Sequence, residues 1–476
     1  MDCMFYRGVG IALTVCFAAA AHAQPAAPAS APSPSQPMSQ ETLAQIYRQE
    51  LGNAYVPADQ ARLYQANVLI ERYFAHPESR AQLLSEIQAL GLDPNILGKL
   101  TRIRLTWLAL EPGVYYINEK LGPSDVRYFL GVPRGYDRSK RWPLVIKLPT
   151  ADAFVGDPVP DPQQASQIYT DWITQELAAH PQALVIMPLL NLDVLWGPSY
   201  PGLDSVILPM QHATSRVNID PARVYLFGHS MSAHAAWNLA LHYPTYFASF
   251  AALAGAASGD WQRVRMMNLR NTLPVVWHDA DDNVILPDSS RQLIRLIQIL
   301  KLTVDYTETK GIGHVPTPAI AEQMYGKMIA RTRDLYPKQV SIQSTRPDTM
   351  FNRVDWVQIY QPLNPGTERR LVFTRGGGIM RVYDGSWSVD ATISNNIINV
   401  TSRNVESMRF YLNDQMVDLR RPVSVIVNRR PRFEGILKPD LDQMLKDQLF
   451  LGRGWRYYTA VIDIDLADRG PATRGN

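Results

Sequence analysis

The sequence predicts an α/β protein, a mostly parallel sheet covered by helices on both faces, with a small helical N-terminal region and a β-rich C-terminal domain. Three observations lead there. The runs Pro143-Leu144-Val145-Ile146-Lys147-Leu148 and Ala183-Leu184-Val185-Ile186-Met187-Pro188 are short and almost wholly apolar, as central parallel strands buried on both faces are. A segment with helical spacing over 169–180 separates them, and helix-like and strand-like segments then alternate as far as Tyr336. Finally, the pattern changes at Gly113, ahead of which it is helical, and again at Lys338, beyond which it is strand-like with Gly, Asn and Pro turns.

The expected organisation is therefore a signal peptide over 1–23, a Pro/Ala/Ser linker over 24–39, a helical region over 40–112, the α/β unit over 113–337 and the β-rich domain over 338–476. In the first of these, Arg7 precedes an apolar stretch over 9–21, and Ala21-His22-Ala23 has the small-x-small form of a cleavage site, so export is expected with Gln24 leading the mature chain. Cys3 and Cys16 both lie in that segment, which leaves the exported chain without thiols or disulfides. Leu13-Thr14-Val15-Cys16 carries a bulky valine and sits inside a continuing apolar run, so lipid anchoring is not expected. No later stretch is long and apolar enough to span a bilayer. In the helical region Ser39 is placed to cap a helix whose Leu43, Ile46 and Tyr47 share one face, a packing surface rather than a chemical one.

A chain of 476 residues with 46% apolar content can build several packed cores, and a formal net charge of +3 spread along it does not suggest a nucleic-acid partner. The expected partner is a small or polymeric neutral substrate. His76, His180, His212, His234 and His242 lack the paired acidic or cysteine spacing of a metal site, and no cofactor is expected.

The chemistry concentrates at Val224-Tyr225-Leu226-Phe227-Gly228-His229-Ser230-Met231-Ser232-Ala233, a strand feeding a G-x-S turn that opens a small-residue helix. A serine at such an apex projects its Oγ above a sheet, but it needs a base to become nucleophilic. A strand over 273–278 leads into Asp279-Ala280-Asp281-Asp282, and Lys310-Gly311-Ile312-Gly313-His314 follows a strand-like segment over 302–309 and precedes a helix over 318–335. Asp282 is chosen over Asp279 and Asp281 by its register after the strand; His314, on a glycine-flexed loop, is chosen over His229 and His278, read as neighbours. Chain order Ser, Asp, His is the α/β-hydrolase order.

The stretch Asn218-Ile219-Asp220-Pro221-Ala222-Arg223 running into this elbow, with Trp237, Leu239 and Tyr243-Pro244 behind it and Trp196-Gly197-Pro198-Ser199-Tyr200 ahead, resembles secreted prolyl-oligopeptidase-like and dienelactone-hydrolase-like α/β-hydrolases. That group includes feruloyl and acetylxylan esterases, depolymerase-like enzymes and serine peptidases, and the resemblance covers 126–336. It implies Ser230 as nucleophile, Asp282 as acid and His314 as base. The sequence departs from the group's pattern twice. Ser232 stands where G-x-S-x-G ends in glycine, and Pro149-Thr150-Ala151-Asp152 stands where His-Gly is usual. Since Pro149 has no N–H, the oxyanion donors are expected to be the backbone N–H of Met231 and that of Thr150 or Ala151. Trp196, Tyr200 and Trp277 lie on segments expected to flank the cleft and to stack on a substrate ring, or else to pack in the core.

Beyond Lys338, strands are expected over 354–360, 370–374, 397–401, 408–412 and 423–427, with one helix over 439–450. This part resembles the small β-domain of some exported bacterial hydrolases, where it would bind polymer, roof the site or only pack. Three functions are consistent with the whole: an exported carboxylesterase, a prolyl-oligopeptidase-like serine peptidase, and a non-catalytic envelope or polysaccharide-binding protein on the same scaffold. The ordered Ser, Asp and His argue against the last, and the lack of any amine- or carboxylate-recognition feature favours ester over peptide.

Overall fold

The structure is a computed structural model that describes residues 38–122, 124–149, 162–189, 200–257, 259–372 and 379–467. The expected signal peptide and nearly all of the linker, with Thr150, Ala151 and Trp196, lie outside the described residues, as does the side chain of Tyr200.

Four helices open the chain: α1 (Gln40–Leu51), α2 (Gln60–Ala75), α3 (Arg80–Ala89) and α4 (Pro94–Leu100). Ser39 caps α1 by accepting from the Thr42 N–H at 3.1 Å, and Asp93 caps α4 ahead of Pro94, whose fixed φ suits a first helical position. The face of Leu43, Ile46 and Tyr47 is buried.

The central sheet has eight strands: β1 (Gly113–Leu121), β2 (Ser124–Val132), β3 (Trp142–Lys147), β4 (Leu184–Pro188), β5 (Ile219–His229), β6 (Ser249–Leu253), β7 (Leu273–Asp279) and β8 (Asp305–Thr309), in the order β1-β2-β4-β3-β5-β6-β7-β8. β1 and β2 are antiparallel additions, and β4, β3, β5, β6, β7 and β8 run parallel. The helices α5 (Pro162–Ala179), α6 (Tyr200–Arg216), α7 (Met231–His242), α8 (Asp260–Arg263), α9 (Asp288–Ile299) and α10 (Pro318–Ile329) connect them. Strand side chains alternate between the two faces of the sheet. Leu144, Ile146, Leu184, Ile186 and Leu226 face α6, α7 and α9, whereas Val145 and Tyr225 face α10, and Val185 and Met187 face α5. This two-sided burial is why β3 and β4 read as unbroken apolar runs. β3 has β4 on one side and β5 on the other, so the chain leaves their C-terminal ends in opposite directions, the crevice in which open α/β sheets bind ligands.

After α10 come a five-stranded sheet, ordered β18 (Arg430–Gly435), β17 (Val423–Val427), β15 (Ile397–Arg403), β14 (Trp387–Ser394), β9 (Gln339–Ser344), and a four-stranded one, ordered β10 (Arg353–Val354), β11 (Val357–Pro362), β16 (Val405–Leu412), β19 (Ala460–Asp465). A hairpin of β12 (Glu368–Val372) and β13 (Ile379–Tyr383) and a helix α11 (Leu441–Leu451) complete it. One apolar core contains residues of α1–α4 and of these sheets together, Tyr47 and Ile70 with Trp356, Phe410 and Tyr457.

Two sequence expectations change here. The helix expected over 318–335 ends at Ile329, and the strand expected over 354–360 is broken into β10 and β11 by a turn at Asp355, where φ is 48°. Both changes converge on one buried ion pair. Arg333 donates from Nη2 to both Asp355 oxygens, at 2.7 and 2.8 Å, and from Nη1 to the Phe247 and Asn271 carbonyls; Arg456 lies 3.5 Å from Asp355 Oδ1. The Asp355 N–H donates to Thr245 Oγ1 at 2.9 Å. None of the three charged side chains is exposed. Removing the one anion strands two buried guanidinium groups, which costs about 3–5 kcal/mol. The Asp355→Ala variant is accordingly expected to lose that much unfolding free energy in a urea titration.

Candidate active site

β5 ends in an elbow. Ser230 takes φ 56° and ψ −122°, a conformation that costs a non-glycine residue about 1–3 kcal/mol, and its N–H is held by the Leu253 carbonyl of β6 at 2.9 Å. The turn reverses tightly at Gly228, where a Cβ would come 2.2 Å from the Ser232 carbonyl oxygen, so no other residue fits. Ser232, in place of the usual glycine, is fully buried and donates its hydroxyl to the Pro149 carbonyl. It thereby ties the elbow to the exit of β3. Met231 begins α7, so its N–H is among the helix N-terminal donors that have no intrahelical acceptor.

The three residues singled out in the sequence meet above β5, β7 and β8. His314 Nε2 is 2.9 Å from Ser230 Oγ, and His314 Nδ1 is 2.8 Å from Asp282 Oδ2. Asp282 follows β7 with its carboxylate wholly inaccessible, while the His314 side chain keeps 13% exposure, so the ring stands between a buried anion and the open side of the elbow. That arrangement has the proton on Nδ1 donated to the carboxylate and Nε2 free to accept from the serine hydroxyl.

Asp282 is satisfied on both oxygens. Oδ1 accepts the N–H groups of Val284 and Ile285 at 2.8 and 3.0 Å; Oδ2 accepts His314 Nδ1–H and, at 3.1 Å, His278 Nε2–H. Burial pushes its pKa up, but the His314 hydrogen bond, the two backbone N–H groups and the nearby His314 charge together hold it below the ordinary carboxylate range. The other two aspartates anchor the histidine loop. Asp279 is buried; it accepts the Thr309 hydroxyl at 2.7 Å, the Asp281 N–H at 2.9 Å and the Gly313 and Ile312 N–H groups, which outweigh burial and lower its pKa. Asp281 accepts the Gly311 N–H at 3.0 Å. Gly311 and Gly313, at φ 85° and 82°, supply the left-handed turns that wrap the loop around these carboxylates.

Further histidines surround the group. His229 Nε2 donates to the His314 carbonyl at 2.9 Å, fixing the loop from the β5 side. His234 on α7 has its pKa lowered, first by burial, against the Ala256 carbonyl that raises it, and further by the His278 and His314 charges. His278, next to last in β7, is fully buried. The sequence marked His229 and His278 as neighbours without indicating what they hold; only the convergence of β5, β7 and the loop after β8 shows it.

Trp277 is a correction to the cleft-flanking expectation. It is entirely buried, packs with Leu253, Val275 and Met324, and donates its indole N–H to Thr309 Oγ1 at 3.0 Å, so it supports the loop from below rather than touching a ligand. The β7 period points its side chain into the core. A cavity of about 440 Å³ opens beside the elbow at the ends of β3, β4 and β5, lined by Leu148, Pro149, Met187, Phe227 and His229, with Trp172 of α5 and Tyr325 of α10 on its walls. Among the described residues no group of three or more His, Cys, Asp or Glu is arranged to hold a metal ion, and no helix is long and apolar enough to cross a membrane.

Residues 203–388 match the family described as "Putative esterase", a span that contains Ser230, Asp282 and His314. No curated protein matches the chain. Similar solved structures include a thermostable esterase at 20% identity, covering 46% of this chain and 63% of that one with a TM-score of 0.38. They also include a ferulic acid esterase from the anaerobic fungus Anaeromyces mucronatus at 14% identity, 49% and 94% coverage and a TM-score of 0.33. A thermophilic esterase from the planctomycete Thermogutta terrifontis is similar at 13% identity, 46% and 90% coverage and a TM-score of 0.34. The chain thus spans less than two thirds of the length of the first of these. The parallel sheet with its elbow gives the central unit of this chain the α/β-hydrolase fold, and the span through that elbow is similar to the esterase family.

Proposed function

We propose that this chain is an exported serine hydrolase that cleaves carboxylic esters through an acyl-enzyme on Ser230. The observation that supports the proposal is the continuous hydrogen-bond line from Ser230 Oγ through His314 to Asp282, with separations of 2.9 and 2.8 Å. Ser230 Oγ attacks the ester carbonyl as His314 Nε2 takes its proton; Asp282 holds the Nδ1–H tautomer and stabilises the imidazolium that forms. The Met231 N–H and one from Thr150 or Ala151 bind the oxyanion, reinforced by the N-terminal end of the α7 dipole. His314 returns the proton to the leaving alcohol, and water then releases the acid by the same steps in reverse. The chemistry needs no cofactor. Ester rather than amide follows from the esterase family match, and export from the sequence of residues 1–23.

A fluorophosphonate probe is expected to label the mature protein once, on Ser230, and to leave Ser230→Ala unlabelled. With p-nitrophenyl acetate the same variant is expected to lose about 10⁴-fold or more in kcat. Asp282→Asn is expected to lose about 10³–10⁴-fold, because the amide orients the wrong tautomer. Unchanged rates in Asp282→Asn would move the acid elsewhere, and faster cleavage of a prolyl amide than of the ester would make the protein a peptidase.

The acid side of the stability profile follows from Asp282 and Asp279. Both folded pKa values are depressed, so their contribution is complete above the unfolded value of about 3.9 and is lost as pH falls through the lower folded values. Thermal unfolding is therefore expected to be insensitive to these two groups between about pH 5 and 8 and to weaken below about pH 4. Calorimetry of Asp279→Asn checks this: the acid-side decline should be shallower than in the wild type.

A further inference from the structure

We infer that His278 is a positioning residue for the acid of the proposed triad, an inference that rests on that reading of Ser230, His314 and Asp282. Its Nε2 faces two acceptors, Asp282 Oδ2 at 3.1 Å and the Ile285 carbonyl at 2.7 Å, so this nitrogen carries a proton whichever charge the ring bears. Its Nδ1 is 2.7 Å from Ser290 Oγ on α9, which fixes the far side of the ring. His278, Ser290 and Asp282 are all buried, so none of these bonds can be replaced by bulk water.

The geometry matters because of how the four donors divide. Oδ1 is held by two backbone N–H groups, but Oδ2 is held only by the two imidazoles. His314 is the ring that changes charge during the proposed reaction, and its bond to Oδ2 cannot also be the fixed reference that orients Oδ2. His278 supplies that reference. Its N–H restrains the carboxylate against rotation about Cβ–Cγ, and so keeps Oδ2 aligned with Nδ1 while the proton moves on the other side of His314. Of the other ionisable groups around His278, Asp279 is turned to Thr309 and the histidine loop, Glu308 on β8 to Arg291 and Tyr306, and His234 on α7 to the Ala256 carbonyl. None of these bonds reaches Asp282.

The test compares His278→Phe, which removes the donor, with His278→Gln, whose side-chain amide restores one. In p-nitrophenyl acetate hydrolysis His278→Phe is expected to lose about 10- to 100-fold in kcat with KM within about twofold, the size of one hydrogen bond to a charged group. His278→Gln should recover to within about threefold of the wild type. The downfield proton resonance of the His314–Asp282 hydrogen bond should be displaced in the Phe variant and return in the Gln variant, a change that a loss of folded protein does not produce. Wild-type kcat with an unmoved resonance in His278→Phe overturns the inference, as does a Gln variant no better than Phe. Should His278→Phe not fold, Ser290→Ala decides: a displaced resonance with a smaller loss of kcat supports the role, and neither change overturns it. Fluorophosphonate labelling separates the two levels. If wild-type Ser230 is unlabelled, the triad reading itself fails; if it is labelled, and at the same rate in His278→Phe, only the role of His278 fails.

Discussion

The site depends on one backbone constraint, the elbow at Ser230. A serine at φ 56° is costly, and it persists because everything around it leaves no alternative. Its N–H is committed to Leu253 on β6, the turn closes to van der Waals contact on Gly228, and the hydroxyl of Ser232 is bound to the carbonyl of Pro149 at the end of β3. Three adjacent strands of the sheet therefore dictate the position of one Oγ. The missing glycine of the elbow motif is no defect in this arrangement: the close approach is made at Gly228, and the serine adds a tether to the very loop from which the proposed second oxyanion donor comes.

On the opposite side the constraint is electrostatic. Three aspartates in four positions would repel one another as a solvated acidic turn. Here each has its own set of donors, and one loop supplies at least one donor to every set. Asp281 takes Gly311, Asp279 takes Ile312 and Gly313, and Asp282 takes the His314 ring. Each carboxylate is matched by N–H groups rather than by a paired cation. His229, donating to the His314 carbonyl, closes the loop from the nucleophile's side.

Much of this was legible in the sequence, for definite reasons. Buried parallel strands announce themselves as apolar runs, a nucleophile elbow as a strand, a G-x-S turn and small residues, and a flexed loop as glycines beside a histidine. What was not legible depends on convergence between distant segments. The sequence shows that Asp279 and Asp281 compete with Asp282, but not that they hold the loop of the base; it shows His278 four residues before Asp282, but not that a strand end and a tight turn fold them face to face. Trp277 illustrates the same limit in the other direction. An aromatic residue beside the acid loop reads equally well as a cleft wall or as core, and only the strand register decides for the core. Asp355 is similar: a β-rich run gave no hint that an arginine past α10 would turn the chain there.

The buried charges also bear on how the units of the chain relate. Arg333 lies just beyond the hydrolase helices, yet its anion, Asp355, belongs to the C-terminal sheets; Arg265, between α8 and β7, donates to Ser344 Oγ at 2.6 Å and to the Phe351 carbonyl, again across the boundary. A polypeptide cut after residue 337 would keep both guanidinium groups and lose these acceptors together with the sheets that help to bury them. The α1–α4 region is in the same position, since its apolar faces are buried against Trp356, Phe410 and Tyr457 rather than against the parallel sheet. Composition divides this chain into regions, but its core does not follow that division. The N-terminal helices and the C-terminal sheets form one body, and that body holds the hydrolase unit through buried ionic contacts on the side of the sheet away from Ser230, where Thr245 and Phe247 precede β6 and Asn271 precedes β7.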